Sequence, residues 1–194
     1  MRLFIAIDLS EEARREVGEF LKKQEKKYWP VKWEKIEKVH ITLAFLGETS
    51  EENLKKVKEA VKMGCMGIFP FELSLRGVGC FPDFLRPKVV WIGLVGNLKS
   101  LARLQRQIEN QLMWRENLGF EVERRAFIPH LTIGRVKRGK FRHIKEMGRQ
   151  VRNTERLEFF SKIRVSQVAI YKSELLPEGS KYTKLEEVAL VQDY

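Results

Sequence analysis

The segment "VHITLAFLGE", residues 39–48, decides the fold of this chain because two kinds of side chain alternate along it. Val39, Ile41 and Leu43 are apolar. His40 and Thr42 lie between them. In a β-strand alternate residues point to the same face, about 6.6 Å apart. The segment therefore predicts a strand with one face in the core and a histidine and a threonine together on the other face.

The same pattern recurs in "PHLTIGR", residues 129–135, where His130 and Thr132 again alternate with Leu131 and Ile133. The chain contains three histidines and five threonines. Two His-x-Thr pairs would arise from so few residues about 2 times in 1,000. A single pair on a strand is most often structural, but the duplication indicates a shared function.

Two such strands, one from each half, would place two imidazoles and two hydroxyls around a common groove. This set suits phosphodiester chemistry without a metal. One neutral imidazole accepts a proton from the attacking water or hydroxyl, and the other donates one to the leaving oxygen. The hydroxyls donate hydrogen bonds to phosphate oxygens. No third candidate ligand accompanies the histidines, so no metal site is predicted.

The length predicts one domain over residues 1–194, either compact or made of two small lobes that share a core. The composition predicts attraction to polyanions, because 37 Lys and Arg face 26 Asp and Glu, for a net charge of +11. Cys65 and Cys80 form no CxxC pair and are expected to be buried or free thiols. No secretory signal and no apolar stretch long enough for a membrane span is visible, so the expected location is the cytoplasm, with no membrane partner.

The order of apolar patterns predicts an α+β fold without strict βαβ alternation. Ser10 and Ser50 are predicted helix caps that follow the first two strands. Two strands, a helix over residues 98–112, a strand containing the second motif and a basic helix around residues 141–151 come next. The chain is predicted to close with a strand pair, "IRVSQVAIYKSEL" and "YTKLEEVAL".

The chain resembles the RNA 2',3'-cyclic phosphodiesterase (2'-5' RNA ligase) family of the two-histidine phosphoesterase superfamily. The resemblance lies in both His-x-Thr motifs and in "RLFIAIDL", "VKW", "GVGCFPDFLRPKVVWIGL", "FIPHLTIGR" and "YKSELLPEGSKYTKL". It covers nearly the whole chain. It implies a bilobal α+β fold in which two pseudo-symmetric lobes turn antiparallel sheets toward a central cleft and carry their helices outside.

The resemblance also implies a reaction: hydrolysis of a terminal 2',3'-cyclic phosphate on RNA to a 2'-phosphomonoester, without a metal or any other cofactor. It makes His40 the proton donor to the leaving O3' and His130 the proton acceptor from water. Thr42 and Thr132 would hold the phosphate. In reverse, the same groups would join RNA ends through a 2'-5' linkage, with tRNA halves as the implied substrate. The protein is expected to act as a monomer.

Two further residues are implied as substrate-binding. Arg135 matches an arginine after the second motif that reaches the phosphate or stacks on a base. Strict alternation would point Arg135 away from His130 and Thr132, so a strand end or a β-bulge is required. Phe4 matches an aromatic position that would stack on a base. The alternative for Phe4 is an ordinary core phenylalanine.

Two basic stretches are predicted to contact RNA phosphates, although such stretches are also common as solvated faces. Residues 22–38 interleave seven lysines with Tyr28, Trp29 and Trp33. Residues 135–152 contain eight Lys or Arg and a single acid, Glu146. The third histidine, His143, lies in this second stretch without a following threonine and is expected at the surface.

Two other functions remain open. The same site would suit a small cyclic nucleotide phosphate, such as a cyclic phosphate of ADP-ribose, although the charge of +11 argues against it. A protein of another class would bind RNA ends without catalysis, with the histidines serving only as hydrogen-bond partners. A measurable rate with a bell-shaped pH dependence separates an enzyme from this binding protein.

Overall fold

The computed structural model describes residues 1–27, 29–114, 126–137, 141–154, 156–177 and 179–190. These residues contain nine β-strands and four α-helices. In chain order they are β1 Arg2–Ile7, α1 Glu11–Glu25, β2 Val31–Trp33, β3 Ile41–Glu48, α2 Glu51–Cys65, β4 Phe71–Phe81, β5 Val89–Gly96, α3 Leu98–Met113, β6 His130–Val136, α4 Phe141–Arg152, β7 Glu158–Val165, β8 Gln167–Leu176 and β9 Gly179–Ala189.

The two predicted serine caps are confirmed. The Ser10 hydroxyl accepts a hydrogen bond from the Ala13 amide at 3.2 Å, and the Ser50 hydroxyl accepts one from Asn53 at 3.3 Å. Glutamates occupy the first turn of α1 and of α2, where they complement the positive end of the helix dipole. A capping side chain contributes about 1 kcal/mol to stability. Local sequence therefore sets where both helices begin.

The strands form one antiparallel sheet in the order β7-β4-β5-β6-β3-β1-β8-β9, with β2 paired to β6. The sheet divides into a first lobe, β3-β1-β8-β9, and a second lobe, β6-β5-β4-β7. Among the described residues, one strand pair, Ile41 with Leu131, joins β3 of the first lobe to β6 of the second. Each lobe therefore contributes its motif strand to the junction, which confirms the predicted α+β fold with two pseudo-symmetric lobes.

The helices cover the apolar face of the sheet and leave the motif face open. Helix α2 packs closely on α3, where a Cβ on Gly64 would lie 2.7 Å from the Cα of Ile108. Helix α1 packs on β7 through an edge-to-face contact of Phe20 with Phe159 at 5.6 Å. Both predicted thiols, Cys65 and Cys80, are free and buried. No described helix combines the length and the apolar character needed to cross a membrane.

Three strand predictions need correction or restriction. The segment "IRVSQVAIYKSEL" is not one strand, because β7 ends at Val165 and β8 begins at Gln167, in the other lobe. The break coincides with two consecutive polar residues, Ser166 and Gln167, at which the alternation of apolar residues changes phase. The short strand β2 was not predicted. The predicted strand before His130 began at Arg125, which lies outside the described residues, and residues 126–129 are not in a strand.

Candidate active site

The junction between the lobes brings the two His-x-Thr motifs together. Ile41 and Leu131 pair across it, and both side chains are completely buried. In an antiparallel register, the residues on either side of this pair bring His40 next to Thr132 and Thr42 next to His130. The two histidines therefore occupy one diagonal of a four-residue cluster and the two threonines occupy the other.

The alternation predicted for both motifs is confirmed by burial. The predicted core residues Val39, Ile41, Leu43, Leu131 and Ile133 are all buried. The four motif side chains are only partly buried and share the opposite face. Thr42 and His130 line a pocket of about 480 Å³. A substrate could therefore reach the cluster from the open face of the sheet.

The His40 ring is fixed by its own backbone and by an aromatic neighbour. Its Nδ1 lies 2.7 Å from the carbonyl oxygen of Lys38. Because a carbonyl only accepts, Nδ1 carries the proton, and the neutral ring has Nε2 available as an acceptor. The ring stacks on Phe4 with centroids 4.8 Å apart. Burial lowers the pKa of His40, while the Lys38 carbonyl and the Asp8 carboxylate act in the opposite direction.

His130 repeats this arrangement in the second lobe. Its Nδ1 lies 2.6 Å from the carbonyl oxygen of Ile128, again two residues before the histidine. The ring meets the edge of Phe81 at 5.0 Å. Burial lowers the pKa of His130, and the hydrogen bond to Ile128 opposes that shift. Both histidines are therefore held in the same tautomer by the same local device.

Each motif strand contains a bulge at the same position. On β3, Thr42 pairs with Ala6 and Ala44 pairs with Ile5, so Leu43 is the extra residue. On β6 the equivalent extra residue is Ile133, because Thr132 pairs with Trp91 and Gly134 pairs with Val90. Each extra residue stands three positions after its histidine. A bulge reverses the alternation beyond it, so the fifth residue after each histidine returns to the motif face.

The bulge on β6 meets the condition under which Arg135 was predicted to reach the site. The Arg135 side chain is 65% exposed, and its Nε lies 3.6 Å from a carboxylate oxygen of Glu34. Such an exposed ion pair contributes at most about 1 kcal/mol to stability. A bound phosphate or base could therefore draw the guanidinium away from Glu34 at little cost.

Phe45 is the counterpart of Arg135 in the first lobe and was missed in the sequence. It is the fifth residue after His40, its side chain is 56% exposed, and it lines the same pocket as Thr42. The signal was available by superposing "HITLAF" on "HLTIGR", which places Phe45 on Arg135. An exposed ring beside a polar cluster is a natural surface for a base.

Phe4 does not offer the stacking surface predicted for it. The side chain is only 3% exposed. Its ring packs against those of His40, Phe45, Tyr171 and Tyr182. A base has no access to a ring this deeply buried, so the core alternative is correct, with the addition that Phe4 supports the ring of His40.

A polar network behind Phe4 was also missed. The Tyr171 hydroxyl donates to the Asp8 carboxylate at 2.7 Å, and Lys184 pairs with the same carboxylate at 2.9 Å. Burial raises the pKa of Asp8, but the bonds from Lys184 and Tyr171 outweigh it and hold that pKa below its ordinary value. Burial and Asp8 raise the pKa of Tyr171 to about 12. A lasting negative charge therefore stands near His40.

Trp91 lies beside His130 in the second lobe. It pairs with Thr132 in the β5–β6 register, and its ring lies 6.4 Å from that of His130. The indole lies across β4 above Gly79, where a Cβ would overlap the ring. Glycine at position 79 therefore makes room for Trp91 and, through it, for the wall of the site around His130.

The comparison with protein families and the comparison with known proteins agree. The model of the 2'-5' RNA ligase superfamily matches residues 7–175. A protein from Methanothermobacter thermautotrophicus named RNA 2',3'-cyclic phosphodiesterase is 35% identical over 187 residues, covering 96% of this chain and 97% of that protein. A protein of the same name from Thermotoga maritima is 34% identical over 188 residues, covering 96% and 94%.

Solved structures agree with this result. The protein TT0787 of Thermus thermophilus matches with a TM-score of 0.80 and 29% identity, covering 100% of both chains. E. coli LigT complexed with 3'-AMP matches with a TM-score of 0.71 and 26% identity, covering 98% of both chains. This chain therefore shares its fold with these neighbours over nearly the full length of each chain.

Proposed function

Because this chain belongs to the 2'-5' RNA ligase superfamily, we propose that it hydrolyses a terminal 2',3'-cyclic phosphate on RNA to a 2'-phosphomonoester. Relatives that cover nearly the whole chain carry the name RNA 2',3'-cyclic phosphodiesterase. The observation that carries the proposal is the diagonal placement of His40 and His130 about the Ile41–Leu131 pair. This placement would put one imidazole on either side of a phosphate bound at the centre of the cluster.

In the proposed mechanism, the neutral Nε2 of His130 takes a proton from water, and the water oxygen attacks phosphorus. The bond between phosphorus and O3' breaks on the opposite side, where the Nε2–H of His40 protonates the departing O3'. One water is consumed and the ring opens, which leaves the phosphate on O2'. In-line attack and departure require an acid and a base on opposite sides of phosphorus, as the diagonal provides.

Thr42 and Thr132, on the other diagonal, are proposed to hold the two non-bridging oxygens. Their hydroxyls would donate hydrogen bonds that strengthen as negative charge develops on those oxygens. Arg135 would add a positive charge at the edge of the cluster. Phe45, opposite Arg135 by the pseudo-symmetry, would stack on the terminal base. E. coli LigT, a structural neighbour, has been solved with 3'-AMP, which supports a nucleotide as the kind of ligand.

The surroundings of each histidine support this assignment of acid and base. Burial lowers the pKa of both, so His130 is neutral near pH 7 and suited to accept a proton. At His40, Asp8 opposes this lowering of the pKa, although Arg14 adds to it. Within the described part of the chain, no carboxylate acts on His130 in this way. An anionic substrate would raise the pKa of His40 further, which favours His40 as the acid.

We propose that the reaction requires no metal and no other cofactor, because the two imidazoles would supply both proton transfers. With a 5'-hydroxyl RNA end in place of water as the nucleophile, the same ring opening would form a 2'-5' linkage, and tRNA halves are the proposed substrate for it. One chain supplies both motifs, which supports action as a monomer.

The nearest competing substrate is a small cyclic nucleotide phosphate. The observation that favours it is that E. coli LigT has also been solved with ATP and with NADP⁺. Both substrates would use the same histidines. They differ in whether a nucleic-acid chain beyond the terminal nucleotide contributes to binding.

The test is to incubate the purified protein, in excess EDTA, with a short RNA that ends in a 2',3'-cyclic phosphate and to identify the terminal phosphate. We expect a 2'-phosphomonoester. A 3'-phosphomonoester would contradict the roles given to His40 and His130. An unchanged RNA end, with a small cyclic nucleotide opened under the same conditions, would favour the competing substrate. No reaction with either would favour a protein that only binds RNA ends.

A further inference from the structure

A second basic surface lies outside the histidine cluster, on helix α4. It surrounds a cavity of about 800 Å³. Four basic side chains fall on one side of the helix at spacings of three, four and three residues, which is the period of a helical face. We call this the α4 surface, and it consists of Phe84, Leu85, Arg142, Lys145, Arg149 and Arg152; His143 and Glu146 also line the cavity.

Most of the positive charge on the α4 surface is not neutralised. Arg149 pairs with Glu146 at 3.0 Å, and Glu146 also accepts a hydrogen bond from Gln150. Within the described ranges of the chain, no carboxylate pairs with Arg142, Lys145 or Arg152. Like charges held along one helix face repel each other and destabilise the helix slightly. A polyanion bound across the face would remove this repulsion.

The α4 surface is connected to the histidine cluster by the loop between β4 and β5. Phe81, at the start of the loop, contacts His130 edge-on, and Pro82 lines the pocket that contains Thr42 and His130. Phe84 and Leu85 belong to the α4 surface. Pro82 and Phe84 are two residues apart, so at most about 7 Å of chain separates the two sites. A strand leaving the cluster would meet the α4 surface within a few nucleotides.

The loop is fixed in this position. The Asp83 carboxylate accepts hydrogen bonds from the amides of Leu85 and Arg86, at 2.7 and 2.8 Å. Helix α4 touches the loop at Gly148, where a Cβ would overlap the carbonyl oxygen of Phe84. The spacing between the cluster and the α4 surface is therefore built into the fold.

We propose that the α4 surface binds the sugar–phosphate backbone of single-stranded RNA immediately upstream of the terminal nucleotide held at the histidines, an inference that rests on the proposed function. Arg142, Lys145 and Arg152 contact phosphates, and the 62%-exposed Leu85 packs with Phe84 against a base. The basic residues of the α4 surface lie in the stretch, residues 135–152, that was predicted to contact RNA phosphates. Residues 138–140 of that stretch lie outside the described residues. RNA is accordingly a better substrate than the isolated cyclic nucleotide.

The test compares two variants that lose the same amount of positive charge. Arg142→Glu with Arg152→Glu changes the α4 surface. Lys55→Glu with Lys56→Glu changes exposed positions on α2, away from the loop. The substrates are an RNA of about 10 nucleotides that ends in a 2',3'-cyclic phosphate and 2',3'-cyclic AMP. For each variant, kcat/KM is measured on both substrates, and the ratio of RNA to mononucleotide is calculated.

We expect the α4 variant to lower this ratio at least about tenfold through KM, and the α2 variant to leave it unchanged. An unchanged ratio in the α4 variant would overturn the inference. An equal fall in both variants would also overturn it, because net charge alone would then account for the effect. Thermal melting confirms that both variants are folded.

A binding measurement separates this inference from the proposed function. Fluorescence anisotropy with the same RNA, dephosphorylated at its 3' end, requires no catalysis. We expect the α4 variant to reduce the slope of log K against log salt by about 1.4, since each single-strand phosphate contact contributes about 0.7. If wild-type protein hydrolyses neither substrate but this slope still changes, the proposed function fails and the RNA surface stands. An unaltered slope overturns the surface.

Discussion

Leu43 and Ile133 are the extra residues of two β-bulges that lie at equivalent positions, each three residues after a motif histidine. Without them, the fifth residue after each histidine would face the core. With them, Phe45 and Arg135 return to the face of His40 and His130. The pseudo-symmetry of the two lobes therefore includes the two bulges. As a result, an aromatic side chain lies on one side of the cluster and a cationic side chain lies on the other.

Phe45→Ala is expected to weaken substrate binding without destabilising the protein. The ring is largely exposed, so its loss should change the free energy of unfolding by less than about 0.5 kcal/mol. Loss of base stacking should raise KM for 2',3'-cyclic AMP by about tenfold, and Phe45→Trp should retain binding. Initial rates and urea denaturation measure the two effects. If KM is unchanged in Phe45→Ala, the substrate base does not stack on this side chain.

His40→Ala and His130→Ala are each expected to lower kcat by at least about 100-fold, because a positioned acid or base contributes that much or more. Stability should change little, since neither imidazole is fully buried. The rate of cyclic-phosphate opening and the thermal midpoint are the two measurements. A variant that turns over at the wild-type rate would exclude that histidine from proton transfer.

Paired substitutions distinguish the effect of each threonine hydroxyl from the effect of the side-chain volume. Thr42→Val and Thr132→Val keep the volume and remove the hydroxyl, and we expect kcat to fall about tenfold or more as a phosphate donor is lost. Thr42→Ser and Thr132→Ser should retain most of the rate. Thr183→Val, at an exposed position on β9, is the matched control and should have no effect. Equal rates in the Val and Ser variants would contradict hydroxyl donation.

The motif strands could be predicted from the sequence because their period is local and occurs twice. The four motif residues and the buried face behind them follow from alternation alone. The bulges could not be predicted from alternation, since they exist only in the register of β3 with β1 and of β6 with β5. The local pattern alone could indicate only that Arg135 needs a strand end or a bulge to reach the motif face.

Contacts between distant parts of the chain explain the other differences. Tyr171 and Asp8 are 163 residues apart in sequence, and nothing near either residue indicates their hydrogen bond. Phe4 was left open between a base-stacking ring and a core ring, because β8 and β9, which bury it, are distant in the sequence. The break at Ser166 is an exception, because the apolar alternation changes phase there, from Ile163 and Val165 to Val168 and Ile170, and this local signal was overlooked.

Gly79→Ala is expected to destabilise the protein and Gly18→Ala to stabilise it. A Cβ at position 79 would overlap the Trp91 ring, and overpacking of this kind costs about 1–3 kcal/mol. At position 18, inside α1, the nearest atom would be Ile36 Cγ1 at 3.6 Å, so the better helix propensity of alanine should add about 0.5–1 kcal/mol. Urea denaturation gives both values, and Gly79→Ala should be partly rescued by Trp91→Leu.

The pH dependence should show histidine pKa values below about 6.5 in the free protein. Burial disfavours the imidazolium at both positions, so both pKa values are lowered. The value of kcat/KM should therefore fall on the alkaline side as His40 loses its proton and on the acid side as His130 gains one. Bound phosphate should raise both pKa values, which moves the optimum of kcat to higher pH. Histidine chemical shifts with and without inorganic phosphate measure these pKa values directly.

Asp8→Asn tests which histidine is the acid. Asp8 favours the charged form of His40, so its neutralisation should lower the pKa of His40 further and shift the alkaline limb of kcat/KM to lower pH. The acid limb, assigned to His130, should not move. Lys184 keeps Glu187 as an ion-pair partner, which limits the structural effect of the substitution. If the acid limb shifts and the alkaline limb does not, His40 is the base and His130 the acid.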